Sequence, residues 1–297
     1  MATRRILVTG CRGQLGTGLT ELLKGEYAVR GVDIQDFDIR EYDRVLGCLK
    51  EIKPEVVLHT AAYTDVDGCE TNREAAISIN AEGTENIARA CREVKAKLIY
   101  YSTDYVFDGA KSTPYIESDT TNPQTHYGRS KLEGEEAVAS LLDDYVILRI
   151  AWLYGRVGRN FVRTMVQLGF RQMQQSRQGE IITPLKVVDD QFGNPCWTLE
   201  IARQTRVILA SDLTGVFHAT SEGETSWYGF AHMIFEKLNM PVQVRPCPTE
   251  EFPRPAPRPK RSSLENKHLK ETGLNVMRLW DIALAEFLDQ RGESLKP

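Results

Sequence analysis

The sequence predicts an α/β protein: a doubly wound parallel sheet with a smaller C-terminal α/β part. Three observations carry that prediction. Apolar runs at 6–8, 27–32, 56–59, 98–102 and 145–149 alternate with stretches of helical periodicity. The first run breaks abruptly at Thr9-Gly10-Cys11-Arg12-Gly13-Gln14-Leu15-Gly16, after which Leu19, Leu22 and Leu23 recur at helical spacing. Small and hydroxyl residues follow the later runs, at the strand ends where an open parallel sheet takes its ligands. Right-handed crossovers would order the strands. Residues 1–155 are expected to form the first part, completed by about 186–220, with about 156–185 and 221–297 forming the second.

The bulk properties narrow the class. The 297 residues are enough for one large domain or two modest ones, and 41% hydrophobic with 26% charged is an ordinary globular balance. A net charge of -4 gives no footprint for nucleic acid. No apolar run reaches the length of a membrane span, and the run after Arg5 is too short for a signal-peptide core. Six scattered cysteines without a C-x-x-C pair fit reduced thiols in a cytoplasmic protein better than a disulfide frame or a zinc site. No metal site is expected.

Strand, glycine turn and helix at the N-terminus make a credible diphosphate cradle. Glycines let the backbone approach, and the helix start offers free N–H groups. The spacing G-x-x-G-x-x-G resembles that of the short-chain dehydrogenase/reductases, which would put Gly10, Gly13, Gln14 and Leu15 at a dinucleotide. The next strand, 27–32, ends at Asp33, where a carboxylate would meet the adenosine ribose. Asp33 favours NADH over NADPH by repelling a 2′-phosphate, but Arg12 offsets it, so either cofactor stays open. Similarity to related enzymes, in which an Asp-hydrophobic pair here flanks the adenine, would give Asp38 and Ile39 that place, Asp38 also capping a helix at 42–52. The strand 56–59 leads into Thr60-Ala61-Ala62-Tyr63-Thr64-Asp65-Val66-Asp67. Ala61, Ala62 and Tyr63 leave room for the nicotinamide half, with Thr64 and Val66 reaching a substrate. Asp65 and Asp67 read as solvated or capping acids. A long helix from about Asn72 to Val94 follows, with Asn80 tying neighbouring backbone.

The strand 98–102 ends in Ser102-Thr103-Asp104-Tyr105, and a polar loop from 110 to 124 forms a rim. Beyond it lies His126-Tyr127-Gly128-Arg129-Ser130-Lys131. On a helix, Tyr127 and Lys131 share a face one turn apart. A phenol titrates near pH 10, and an ammonium beside it would lower that toward the working range. Thr103, Tyr127 and Lys131 together suit proton transfer at a carbonyl or alcohol oxygen. The helix 127–142 and strand 145–149 follow, then Trp152, either core or a platform for a sugar ring. Past Gly155 come a short helix from 159, a polar stretch at 174–180, a helix at 199–209 and a last strand at 215–220. A helix near 228–238, an extended proline-rich wall at 246–259 and a helix at 278–291 close the chain. Arg258, in that wall's basic cluster, either clamps a diphosphate or stays solvated.

Five motifs occur in order: Thr9-Gly10-x-x-Gly13-x-x-Gly16, Ser102-Thr103-Asp104-Tyr105-Val106-Phe107, Tyr127-x-x-x-Lys131, Asp190-Gln191-x-Gly193-x-Pro195 and Arg258-Pro259-x-x-Ser262-x-Leu264. Together they resemble the extended short-chain dehydrogenase/reductases, and most closely the dTDP-4-dehydrorhamnose reductases. The resemblance implies a Rossmann-like NAD(P)-binding fold and reduction of the C4 ketone of a dTDP-4-dehydro-6-deoxysugar by NADPH or NADH. It makes Tyr127 the acid toward the C4 oxygen and gives Lys131 the nicotinamide ribose. Thr103 would polarise the ketone, while Thr64, Val66, Asp104, Trp152 and Arg258 would bind sugar. The expected partner is the dTDP-sugar, with a homodimer left open. Ile150-Ala151 and Cys196-Trp197 depart from the family pattern. A 4,6-dehydratase would need an Asp-Glu pair, and Asp104 is followed by Tyr105. A C4 epimerase and a non-catalytic subunit resembling the methionine adenosyltransferase β subunit remain as alternatives.

Overall fold

The computed structural model describes residues 4–295. Six parallel strands form its central sheet: β1 (Arg5–Thr9), β2 (Ala28–Val32), β3 (Val56–His59), β4 (Lys97–Thr103), β5 (Tyr145–Ile150) and β6 (Gly215–His218). The spatial order is β6-β5-β4-β3-β1-β2. The strand order reverses between β1 and β3, which run parallel, and this opens a crevice beyond their carboxyl ends. The inner strands β1, β3 and β5 are largely apolar and buried because helices cover both faces, with Thr9, His59 and Arg149 as buried polar exceptions.

One face packs under α1 (Gln14–Leu23), where Leu15, Leu19 and Leu23 meet Ile6, Val8, Leu58 and Leu148. The other face packs under α2 (Tyr42–Ile52), α3 (Gly83–Val94) and α4 (His126–Leu141) through Leu7, Val57, Leu98, Val45, Ile87 and Val138. A separate core lies beyond the sheet. Val162 and Val166 of α5 (Phe161–Arg177), Phe230 and Ile234 of α7 (Trp227–Lys237), and Leu284 and Phe287 of α8 (Trp280–Leu295) close around Tyr154. Between α5 and α7 in the chain, α6 (Thr198–Leu209) returns to α1 through Ile201 and Ile208. Among the described residues no helix is long and apolar enough to cross a membrane.

Several local expectations change. The helix expected from 72 is interrupted: Val66–Thr71 and Arg73–Ile77 precede a single π-helical turn at Ser78–Glu82, and only then does α3 begin. The turn has a cause in packing. Asn80 points inward, its Oδ1 accepting from Tyr63 N at 2.7 Å and its Nδ2 donating to Tyr63 O and Ser130 Oγ, each at 3.0 Å. Gly134 lets α4 approach, since a Cβ there would lie 2.7 Å from Asn80 O. Asp65 caps the Val66–Thr71 helix through Gly68 N, as a capping acid should. Asp38 does not cap α2; its carboxylate binds Arg40 through Nε at 2.9 Å and through the Arg40 backbone N–H. The polar stretch from 174 stays helical as far as Arg177. Leu185–Val188 pairs with Val244–Cys247 and not with the large sheet.

Candidate active site

A cavity of about 870 Å³ runs along the carboxyl ends of β1 to β5. Its β1 end is shaped by the absence of side chains. Gly10 has φ +68°, and a Cβ there would sit 2.8 Å from Ala61 backbone. At Gly16 a Cβ would lie 2.2 Å from Gly10 O. The loop therefore closes onto the start of α1, whose first N–H groups have no intrahelical partner and no side-chain cap. Such a cradle fits a diphosphate. Gly10, Gly13, Gln14 and Leu15 all line it. Arg12 does not; its backbone N–H instead donates to Asp33 Oδ2 at 2.8 Å, tying the loop to the end of β2.

Asp33, Asp38 and Ile39 line the β2 end of the same cavity with Ile34, Phe37 and Arg40. Asp33 is doubly engaged, since Ile34 N also donates to its Oδ1 at 2.9 Å. Ala61, Ala62, Tyr63, Thr64 and Val66 line the middle, below β3. Pairing of Asn80 with both backbone groups of Tyr63 fixes that segment. His59, just before it, is held neutral, its pKa pushed down to about 3 by burial and by the Lys131 charge.

At the β4 end the cavity meets Thr103, Asp104, Tyr127 and Lys131. Thr125 caps α4 by accepting from Gly128 N at 2.9 Å, and a Gly128 Cβ would collide with Tyr105 O. These two contacts set α4 against the turn after β4 and so bring Tyr127 beside Thr103. Tyr127 is half-buried, its ring edge-on to Tyr105 at 5.7 Å. Lys131 donates through Nζ to Tyr101 O at 2.7 Å and lies 4.2 Å over the Tyr100 ring.

The expected lowering of the Tyr127 pKa by Lys131 does not appear. Burial holds the phenol above its ordinary value, and the Thr103 hydroxyl pulls the other way without offsetting it. Burial also pushes the Lys131 ammonium down to about 7, with Glu135 opposing. The ammonium hydrogen-bonds the Tyr101 carbonyl and lies over the Tyr100 ring, and burial outweighs other influences on the phenol.

Two substrate-side positions separate. Trp152 lines the cavity in a left-handed backbone conformation, φ +44°. Its indole stacks on Trp227 at 3.5 Å and 2°, and only a glycine fits beside it: a Gly193 Cβ would be 2.3 Å from the ring. Non-glycine residues rarely hold such a φ unless the surroundings impose it. Arg258 lies outside the cavity lining. Its guanidinium pairs with Asp67 at 2.9 Å and donates to Ala256 O. Sequence reasoning missed Trp227, Arg40 and Arg159, which also line the cavity. Trp227 opens α7 just ahead of the apolar face that marks the helix, so its type was visible but its direction was not.

Fold and site together define an oxidoreductase of the extended short-chain dehydrogenase/reductase class, with a Rossmann-like sheet and a threonine, tyrosine and lysine at its ligand edge. Within that class the chain belongs to the family of the RmlD substrate binding domain, whose model matches residues 4–292. It is 39% identical over 287 residues to a dTDP-4-keto-6-deoxy-D-glucose reductase of Streptomyces niveus, covering 96% of each chain. It is also 39% identical over 284 residues to a dTDP-4-dehydrorhamnose reductase of Burkholderia thailandensis, covering 90% of this chain and 92% of the other. A dTDP-4-dehydrorhamnose reductase structure from Bacillus anthracis in complex with NADP superimposes with TM-score 0.92 at 38% identity, covering 97% of this chain and 99% of that one.

Proposed function

We propose that this protein reduces the C4 ketone of a dTDP-4-dehydro-6-deoxysugar, dTDP-4-dehydro-L-rhamnose giving dTDP-L-rhamnose. The observation that carries the reading is the meeting of Thr103, Tyr127 and Lys131 at the β4 end of a cavity whose other end is a glycine cradle. Bound NADPH or NADH supplies the hydride. The chain's own groups do the rest. Gly10, Gly13, Gln14 and Leu15 would hold the diphosphate, Asp33, Asp38 and Ile39 the adenosine end, and Ala61, Ala62 and Tyr63 the nicotinamide end. Tyr127 delivers its proton to the C4 oxygen, and Thr103 hydrogen-bonds that oxygen as charge develops. Lys131 orients the ribose. Thr64, Val66, Asp104 and Trp152 line the space left for the sugar.

A high pKa on a phenol acid is compatible with this role. Tyr127 stays fully protonated until the hydride makes the ketone oxygen basic, so it donates rather than leaks its proton. We read residues 1–155, with the strand at Gly215–His218, as the cofactor-holding part, and the core around Tyr154 as the sugar-holding part. We also place the protein in the cytoplasm, in keeping with six free cysteines, and keep a homodimer as the assembly to test by light scattering.

The decisive assay follows NADPH absorbance with dTDP-4-dehydrorhamnose present and identifies the product by NMR. The expected outcome is stoichiometric ketone-dependent oxidation. An epimerase would consume no NADPH, and a non-catalytic subunit would leave the ketone untouched; either result removes the reading.

A further inference from the structure

Thr103 has one proton, and its two hydrogen-bond contacts constrain where it can go. Its Oγ1 donates to Asp104 Oδ1 at 3.0 Å and accepts from Tyr105 N at 3.2 Å. A hydroxyl has one donor and two lone pairs. While the Asp104 carboxyl is ionised it can only accept, so it captures the Thr103 proton. Thr103 then has nothing to offer a ketone oxygen in the cavity.

The surroundings of Asp104 favour the other state. The residue is 3% exposed, and its Oδ2 is buried with no hydrogen-bond partner among the described residues. Burial pushes its pKa up to about 6, with the Ser262 and Thr103 hydroxyls and the backbone N–H groups of Asp104 and Tyr105 opposing. The titratable groups that face it are Tyr105 on its own turn, Tyr127 from α4 and Cys196 from the short strand Cys196–Trp197. None of these is a cation. The nearby Arg258 charge acts on Tyr105 and is itself paired with Asp67.

We propose that Asp104 is a positioning residue whose protonation decides whether Thr103 can donate to the substrate ketone. Protonated, the carboxyl donates to Thr103 Oγ1 and fills the second lone pair beside the Tyr105 N–H contact. Both acceptor sites are then occupied, and the remaining Thr103 proton is free to turn toward Tyr127 and the cavity they both line. Ionised, the same carboxylate turns that proton inward. No bond beyond hydrogen bonds changes; the proton given to the C4 oxygen still comes from Tyr127. The inference rests on the ketoreductase reading above, but one arm of its test does not.

Asp104→Asn supplies an amide N–H donor that cannot ionise. With saturating NADPH and sugar ketone, kcat and KM of wild type and Asp104→Asn are measured from pH 5.5 to 8.5. The ratio of kcat, variant over wild type, should rise at least about tenfold across that range while the KM ratio stays level, because only the wild type loses its donor as pH rises. A kcat ratio independent of pH, or an effect confined to KM, would mean that Asp104 merely supports the turn or touches the sugar, and overturns the proposal. The second arm needs no turnover: infrared difference spectra of NADPH-bound wild type against Asp104→Asn, titrated over pH. A carboxylic C=O band that is present at pH 5.5 and missing from the variant supports the neutral acid. Its absence at pH 5.5 overturns it, even if no ketone proves to be a substrate and the ketoreductase reading itself falls.

Discussion

The two ends of the crevice are built by opposite means. At the β1 end the site consists of removed side chains: Gly10 and Gly16 let backbone meet backbone at distances no Cβ permits. At the β4 end it consists of buried polar side chains, with Thr103, Asp104 and Lys131 each at most 5% exposed. The first end offers N–H groups of fixed geometry, which suit a ligand whose charge never changes. The second holds groups whose protonation depends on what surrounds them, which suits a reacting centre. Backbone sites fail by steric exclusion and polar sites by the loss of one proton, so different substitutions should break each.

The largest effect is expected at the polar end. Tyr127→Phe keeps the ring and its contact with Tyr105 but removes the proton that the ketone oxygen is to receive. Turnover should fall by about 10²–10⁴-fold, the usual worth of a positioned acid, while NADPH affinity from fluorescence titration changes little. Retained turnover would take Tyr127 out of the mechanism. Parallel loss of NADPH binding would mean that the two ends are not separable.

A smaller effect, of the opposite pattern, is expected at the backbone end. Gly16→Ala places a Cβ 2.2 Å from Gly10 O and 2.7 Å from Cys11 Cα, so the loop must move. Overpacking of this kind costs about 1–3 kcal/mol, and NADPH affinity should drop roughly tenfold or more by the same amount of energy. Gly25→Ala is the control, since nothing lies within 4 Å of a Cβ there. Equal NADPH affinity in Gly16→Ala and wild type would show that the cradle does not depend on the close approach of Gly16 to Gly10 O.

This division also explains what could be read in the sequence. Glycine spacing after a short apolar run is a local pattern, and the β1 end was legible from it residue by residue, Arg12 excepted. Arg12 faces out because its neighbours are the ones that must approach α1. Tyr127 and Lys131 were legible as a pair because helical spacing fixes their face. What spacing cannot give is burial. That Lys131 bonds Tyr101 O and lies over Tyr100 depends on a strand 30 residues away. The stack of Trp152 on Trp227 and the pairing of Arg258 with Asp67 span still longer separations. The π-helical turn that inserts Asn80 behind Tyr63 is likewise a response to α4, and no property of residues 78–82 announces it.

The smallest expected effect concerns what the polar end costs the protein before any ligand binds. Burial brings Lys131 down to about 7 from 10.5. Between those values the unfolded chain binds the proton that the folded chain has released, so stability contributed through this group rises with pH and is lowest below 7. Above about pH 10 the buried tyrosines act in the other direction, because their raised pKa keeps protons on the folded state. The window for reading Lys131 is therefore pH 7 to 10. Lys131→Met leaves Tyr101 O without its donor and loses the ring contact, but it removes a buried charge. Calorimetry of the cofactor-free protein should show the variant's Tm above wild type at pH 7 by roughly 2–6 °C, and the gap should close as pH approaches 10. A gap that is absent at pH 7, or constant across the window, would mean that the ammonium costs the folded chain nothing, and that the polar end is no more strained than the glycine cradle opposite it.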